Sequence, residues 1–159
     1  MTFFYFKILC NLSKPQRNMK KHLEASPESG KKFYMDYVNK GKIIMLNLLK
    51  FHVKADYTNL EELKPKSEIS GEEAYNLYME NTLPELKNIG SNIIYYGKST
   101  NFLIGPDSEN WDAVLLMEHE SVEKFMAFSQ SKVYLNNVGH RMAGLEDSRL
   151  LPTTEIQNN

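Results

Sequence analysis

The sequence contains little cysteine and no excess of charge of either sign. Its 159 residues include one cysteine, Cys10, and 19 lysines and arginines against 20 aspartates and glutamates. A single cysteine cannot form an internal disulfide, which favours a reducing compartment, so we expect a cytoplasmic protein. A net charge of -1 provides no positive field for nucleic acid, and no nucleic-acid partner is expected.

Long apolar runs are also missing. No stretch approaches the roughly 18 consecutive apolar residues of a membrane span, so we expect no membrane partner. The apolar start, residues 3–12, is short, is interrupted by Lys7, and has no basic segment before it and no small-residue cleavage site after it. Residues 1–18 are therefore interpreted as a weakly ordered extension, with a signal peptide or a start-site error before Met19 as alternatives.

Motifs for metals, nucleotides and a nucleophilic serine are absent. The four histidines (His22, His52, His119 and His140) show no short metal-ligand spacing, which argues against a zinc site. The sequence has no phosphate-binding glycine loop, no dinucleotide fingerprint and no Gly-x-Ser-x-Gly turn. We therefore expect neither a metal nor a bound cofactor.

The most informative segment is a nearly unbroken apolar run at residues 41–51. A strand with one face in water alternates apolar and polar residues, and this run does not. It predicts a strand over 42–50 that is covered on both faces, and residues 111–118 predict a second strand of this kind. The amide in the first strand, Asn47, needs a polar partner, because a buried unpaired amide costs about 1–3 kcal/mol.

Capping and turn signals place the other elements. Ser26-Pro27 predicts a helix over 27–39, and the capping box that starts at Ser70 predicts a helix to Gly90 with a kink or break near Pro84. The polar stretch 52–69 is either a solvated insertion or a functional loop, with a helical turn near 60–63. Further strands are predicted at 92–98 and 145–151, a short helix after Ser121, and an irregular, partly helical stretch at 131–144.

The order of these elements indicates the fold. After the leading helix it is strand, helix, strand, strand, helix, strand, which is the ferredoxin-like βαββαβ arrangement of an α+β protein. We expect one domain over 19–152, an antiparallel sheet with the first and third strands at its centre, and a frayed tail over 153–159. Two main helices cover only one sheet face, so a second copy of the sheet is expected on the other, as a homodimer packed face to face.

Four blocks of the sequence resemble domain-of-unknown-function family 1330. They are Met-Leu-Asn-Leu-Leu-Lys-Phe within residues 44–51, Gly-Glu-Glu-Ala-Tyr-x-x-Tyr at 71–78, Trp-Asp-Ala-Val at 111–114, and the His-Arg to Leu-Glu-Asp-Ser-Arg-Leu block at 140–150. The resemblance covers about residues 26–152. It implies a dimeric α/β barrel with no established activity. By fold analogy alone, relatives include cofactor-independent monooxygenases, muconolactone-isomerase-like enzymes and haem-binding proteins.

Six residues are candidates for a small-molecule site between the sheet and the helices. His140 can exchange a proton near neutral pH and Arg141 can bind a carboxylate or enolate, so these two are the catalytic candidates. The ligand-binding candidates are Asn47, Tyr75, Tyr78 and Asp147; the two tyrosines share one helix face.

Each candidate also has a structural interpretation. Tyr75 and Tyr78 can be core aromatics, Arg141 can pair with Asp147 or Glu146, and Asn47 can bond backbone or His140. Trp111 is interpreted as a core or dimer-interface residue, and Asp112 as an acceptor of backbone hydrogen bonds.

Three functions follow from these candidates. An amide and phenols around an apolar cavity are typical of a ligand pocket, which suggests binding, or cofactor-independent oxidation or isomerisation, of a small organic molecule. A non-catalytic dimeric module and a haem-binding barrel that uses His140 are the alternatives.

Overall fold

A computed structural model describes residues 21–156 of the chain, so the predictions for residues 1–18 and for the last three residues of the tail lie outside the described residues. The described residues form four α-helices and four strands, with a short 3₁₀ helix at Glu61–Leu63 where the sequence predicts a helical turn. In chain order they are α1 (Pro27–Tyr37), β1 (Ile43–Phe51), α2 (Gly71–Asn88), β2 (Asn92–Lys98), β3 (Ala113–His119), α3 (Val122–Ser129), α4 (Lys132–Gly144) and β4 (Leu145–Thr153).

The four strands form one antiparallel sheet in the order β2-β3-β1-β4. The two most apolar strands, β1 and β3, lie at its centre, as the sequence predicts. Asn47 of β1 lies opposite Leu115 on β3 and Leu150 on β4. This topology is the ferredoxin-like βαββαβ arrangement with an extra helix before it, and the predicted fold class is confirmed.

Serine caps begin all four described α-helices. Ser26, Ser70, Ser121 and Ser131 each accept a hydrogen bond on the side-chain oxygen from the backbone N–H three residues later. At Ser70 the capping box is complete, because the Glu73 carboxylate accepts in return from the backbone N–H of Ser70 at 2.7 Å. Local sequence therefore sets where each helix starts.

Two helices are more regular than the sequence predicts. α2 continues through Pro84 without a break, since the proline removes only one backbone hydrogen bond, to Glu80. α4 is a full helix of 13 residues instead of an irregular stretch. Gly144, the last residue of α4, permits close packing: a Cβ there would lie 2.6 Å from the carbonyl oxygen of Gly71 on α2.

The last strand extends past its predicted end at residue 151, through Pro152 to Thr153. β4 is an edge strand, and a proline is tolerated there because its missing N–H can face away from the neighbouring strand.

All four helices pack on one face of the sheet. The residues of β1 that point to them, Ile43, Met45 and Leu49, are at most 2% exposed and lie in two apolar clusters. The alternate residues are only half-buried, so the expected burial of both strand faces is not met within one chain. We call this second surface the open face; it consists of Ile44, Leu46, Leu48, Val114, Leu116, Tyr95 and Leu151.

The segment between β1 and α2 is docked against the helices and is not a solvated insertion. Tyr57 in this segment is 5% exposed and packs in a cluster with Ala74 of α2 and Ala143 of α4. The backbone N–H of Asp56 donates to the carbonyl oxygen of Ala143 at 2.8 Å. Composition indicates a solvated stretch here, but a few apolar side chains are enough to attach it.

The residues before α1 run along the edge strand β4. The His22 N–H donates to Asp147 Oδ1 at 2.8 Å, and the Ser148 hydroxyl donates to the His22 carbonyl at 2.5 Å. Leu23 packs against the larger apolar cluster. None of the helices in residues 21–156 combines the length and apolar composition that crossing a bilayer requires.

Candidate functional site

Tyr75 and Tyr78 lie in the core beneath the sheet. They are 2% and 8% exposed, and their ring centroids are 5.7 Å apart. Tyr75 also contacts Phe51 of β1, at 5.6 Å between ring centroids. Burial raises the pKa of Tyr78 to about 12 and raises that of Tyr75 as well. Both phenols are therefore protonated at neutral pH and can donate hydrogen bonds.

Arg141 lies on α4, which packs against α2, the helix that carries both tyrosines. Its positive charge opposes the rise in pKa of both Tyr75 and Tyr78. The guanidinium donates to the Leu23 carbonyl at 2.7 Å and to the Ser148 hydroxyl at 3.4 Å. Arg141 thus lies on the helix packed beside Tyr75 and Tyr78, and among residues 21–156 its guanidinium bonds to Leu23 and Ser148 and not to a carboxylate.

Asn47 lies on the helix-covered face of the sheet. Its neighbours on that face of β1 are Met45, in one apolar cluster, and Leu49, in the other. The amide nitrogen donates to the carbonyl oxygens of Met45 and Leu115, both at 3.3 Å. Its hydrogen-bond requirement is met by backbone, one of the two arrangements that the sequence suggests.

His140 contacts a residue that sequence reasoning missed. Its Nδ1 lies 2.8 Å from the Tyr57 hydroxyl, and the two rings meet edge to face with centroids 5.7 Å apart. Burial lowers the pKa of His140, so the imidazole is neutral at pH 7. Tyr57, an aromatic residue in the highly charged segment 52–69, is the signal in the sequence that could have pointed to this contact.

Asp147 is part of a different group of side chains from Arg141. Its Oδ1 accepts hydrogen bonds from the backbone N–H groups of His22 and Ser148 and from the Arg149 guanidinium, at 2.8–2.9 Å. Burial opposes ionisation of Asp147, but the hydrogen bonds from His22, Arg149 and Ser148 outweigh it and lower its pKa. The carboxylate is therefore charged and bound within the protein.

Trp111 and Arg149 make a contact that the sequence analysis did not predict. The Arg149 guanidinium lies 4.9 Å from the centroid of the Trp111 ring. Trp111 is 4% exposed, as a core residue should be, but its Nε1 has no hydrogen-bond partner among the described residues. Trp111 is also one of the residues that line a cleft of about 60 Å³, which we call the Trp111 cleft; the others are Lys21, Lys50, Ser108, Glu109, Asn110, Glu146, Asp147 and Arg149.

A second, more open cleft of about 320 Å³ lies on the outer surface of α2, lined by Ile69, Glu73, Asn76, Leu77 and Glu80. Of the six predicted site residues, only Asp147 lines either of these two clefts. Within residues 21–156, no group of three or more His, Cys, Asp or Glu residues is placed to hold a metal ion.

Comparisons with known proteins give similarity to solved structures only. No family model matches the sequence, and no curated protein matches it. The RPA0582 protein of Rhodopseudomonas palustris is 31% identical, with a TM-score of 0.77 over 87% of this chain and all 100% of that one. Its methylated form is 32% identical, with the same TM-score, over 87% and 98% of the two chains.

A dimeric protein of unknown function and ferredoxin-like fold from Bacteroides fragilis is more distant. It is 14% identical, with a TM-score of 0.42 over 70% of this chain and 94% of that one, which is too low a similarity to extend its properties to this chain. The similarity to RPA0582, in contrast, covers that whole protein at more than 30% identity. The chain therefore belongs to the same family as RPA0582 of Rhodopseudomonas palustris, a protein of unknown function.

Proposed function

We propose that this protein is a cytoplasmic homodimer of the dimeric α/β barrel type, in domain-of-unknown-function family 1330. Each subunit binds or transforms a small organic molecule between the sheet and the helices, without a bound cofactor. The observation that supports this proposal is the packing of α4, which carries Arg141, against α2, which carries the buried, protonated phenols of Tyr75 and Tyr78, beside an otherwise apolar core.

The chemistry of these three side chains favours a ligand with a carboxylate or an enolate. A guanidinium can bind two oxygens at once, and a buried phenol adds a directed hydrogen bond. In an apolar surrounding such interactions are stronger than in water. Asn47 on the same face of the sheet orients the ligand, and His140 exchanges a proton with it. Asp147 acts indirectly, by holding the segment at His22 in place.

A ligand screen followed by thermal unfolding tests the site. A small carboxylate that binds here is expected to raise the melting temperature of the native protein, because ligands that bind only the folded state stabilise it. Arg141→Lys keeps the charge but loses the two-oxygen geometry, and should reduce the apparent affinity about tenfold. Tyr75→Phe removes one hydrogen bond and should reduce the apparent affinity by a smaller factor.

The matched control is Lys132→Gln, which removes a cation from the exposed start of α4, the helix that carries Arg141. It should leave the ligand effect unchanged. If every carboxylate stabilises the Arg141→Lys variant as much as the native protein, Arg141 does not bind the ligand and this assignment is wrong.

A non-catalytic dimeric module is the second candidate. It is favoured by the hydrogen bonds that Asn47, His140, Arg141 and Asp147 already make to other parts of the protein. In that case these residues fix the packing, and their substitution lowers the free energy of unfolding without any effect on ligand binding. The same screen separates the two candidates, since the module predicts no ligand whose effect depends on Arg141.

A further inference from the structure

Tyr57 and His140 join the segment between β1 and α2 to the helix α4. The Tyr57 hydroxyl lies 2.8 Å from Nδ1 of His140, and the two rings meet edge to face. This is the distance of a good hydrogen bond, in which either atom can be the donor. The direction of the bond decides what His140 can do, because the hydrogen on one ring nitrogen determines the role left to the other.

The surroundings of Tyr57 favour donation by the phenol. Its side chain is 5% exposed, and within residues 21–156 its hydroxyl bonds to Nδ1 of His140. If Nδ1 carried a hydrogen and donated it, the phenol hydrogen would have no acceptor among these residues. An enclosed donor without a partner is unfavourable. Of the two neutral groups, the phenol is the stronger acid and the imidazole nitrogen the stronger base, which favours the same direction.

The segment that carries Tyr57 is held firmly on α4. The backbone N–H of Asp56 donates to the carbonyl oxygen of Ala143 at 2.8 Å. A Cβ on Gly139 would overlap Cδ1 of Leu63, so the same segment packs closely on the helix one residue before the imidazole. The hydroxyl is thus presented to the imidazole by a backbone that is itself fixed.

We propose that Tyr57 is a positioning residue for His140. Its hydroxyl donates to Nδ1 and fixes the imidazole in the tautomer that carries its hydrogen on Nε2. Within residues 21–156, Nε2 of His140 forms no hydrogen bond and is not enclosed. Nε2 is therefore the ring atom that a ligand can reach, and it reaches the ligand as a donor.

This inference rests on the proposed function, in which His140 exchanges a proton with the ligand, and it narrows that role. The lone pair of a neutral imidazole is on Nδ1, and the Tyr57 hydroxyl already occupies it. His140 therefore gives a hydrogen bond from Nε2 to an oxygen of the ligand and does not act as its base.

Nitrogen NMR of the native protein tests the tautomer without any ligand. A spectrum that correlates the ring carbon-bound protons of the histidines with their nitrogens is recorded at a pH where the imidazole is neutral. Nε2 of His140 should have the shift of a protonated nitrogen, and Nδ1 that of an unprotonated one. The signals of His140 are those that disappear in a His140→Gln variant. A protonated Nδ1, or a mixture of the two tautomers, would overturn the proposal.

Tyr57→Phe removes the hydroxyl and keeps the ring. A hydroxyl that donates to Nδ1 stabilises the neutral imidazole, so its loss should raise the pKa of His140 by about 0.5–1. A hydroxyl that accepted from Nδ1 would stabilise the charged imidazolium, and its loss would lower the pKa. An NMR titration of the His140 ring protons measures this sign, and a lower or unchanged pKa would refute the assignment.

The control is Tyr134→Phe on the same helix, because the Tyr134 ring contacts Tyr78 and Phe128. It should leave the pKa and the tautomer of His140 unchanged; an equal effect would attribute the result to packing and refute the role of the hydroxyl. The Nε2-protonated tautomer in a protein with no Arg141-dependent ligand would support the positioning by Tyr57 and refute the proposed function alone. A protonated Nδ1 in a protein that has such a ligand would refute this inference alone.

Discussion

His119 ends β3 with its imidazole enclosed by protein. The side chain is 3% exposed, its Nδ1 lies 2.8 Å from the Ser91 hydroxyl, and the Phe125 ring meets it edge to face at 4.9 Å. Burial lowers the pKa of His119 to about 4, from an ordinary value of 6.5. The folded protein therefore holds this residue neutral over a range of pH where the unfolded chain binds a proton.

This difference predicts a loss of stability in mild acid. Between pH 6.5 and about 4 the unfolded state binds the extra proton, so the free energy of unfolding falls as the pH falls, by up to about 3 kcal/mol from His119. Urea unfolding from pH 7 to pH 4 should show a flatter dependence in a His119→Gln variant than in the native protein. The pKa of His140 is also lowered, but His140 is present in both proteins and therefore contributes equally to both pH dependences. Parallel curves for the two proteins would contradict this account.

At the scale of elements, the contact between α2 and α4 depends on two glycines. A Cβ on Gly144 would lie 2.6 Å from the Gly71 carbonyl oxygen and 2.9 Å from the Tyr75 backbone nitrogen. Such distances are too short for real side chains, so the helices must separate to accept one. This contact brings together the two helices that carry Tyr75 and Arg141.

Gly144→Ala is therefore expected to destabilise the protein by about 1–3 kcal/mol through overpacking. Gly30→Ala is the matched control. Gly30 lies within α1 with nothing within 4 Å of a Cβ, so its substitution should stabilise the fold by about 0.5–1 kcal/mol. Chemical denaturation of the three proteins measures both effects, and a Gly144→Ala protein as stable as the native one would disprove the close-packing argument.

At the scale of the whole molecule, the open face decides how the protein assembles. Leu46 lies at its centre, opposite Leu116 on β3 and Leu151 on β4. A contiguous apolar surface of this kind is uncommon on monomeric proteins. A second sheet packed on it would exclude water from both, which is the physical basis for the proposed homodimer.

Leu46→Lys places a charge at the centre of that surface. If the open faces pair, each dimer of the variant would bury two unpaired ammonium groups, at a cost of several kcal/mol. At micromolar concentration the variant should therefore sediment as a folded monomer, whereas the native protein should sediment as a dimer. Val53→Lys is the control, since Val53 is 98% exposed in the segment docked on the helices. If the native protein sediments as a folded monomer, both the proposed homodimer and the proposed dimeric α/β barrel are wrong.

The sequence by itself determined the elements and their order. Serine caps, apolar periodicity and turn residues act over a few neighbours, and they were sufficient to place the β-strands, the start of each of the first three helices and the βαββαβ topology. The apolar centre of β1 also determined which strand lies in the middle of the sheet. These features depend on interactions between residues that are close together in the sequence, so the sequence alone is enough to predict them.

Only the tertiary structure decided which side chains meet. Tyr57 and His140 are 83 residues apart, and the pairing of Arg149 with Trp111 requires β4 and the start of β3 to come together across β1. The close approach of α4 to α2 likewise depends on a contact between Gly144 and Gly71, which are more than 50 residues apart. Such contacts depend on the distances and angles between helices and strands. Packing of the whole chain fixes these distances and angles, so a local sequence pattern does not predict them.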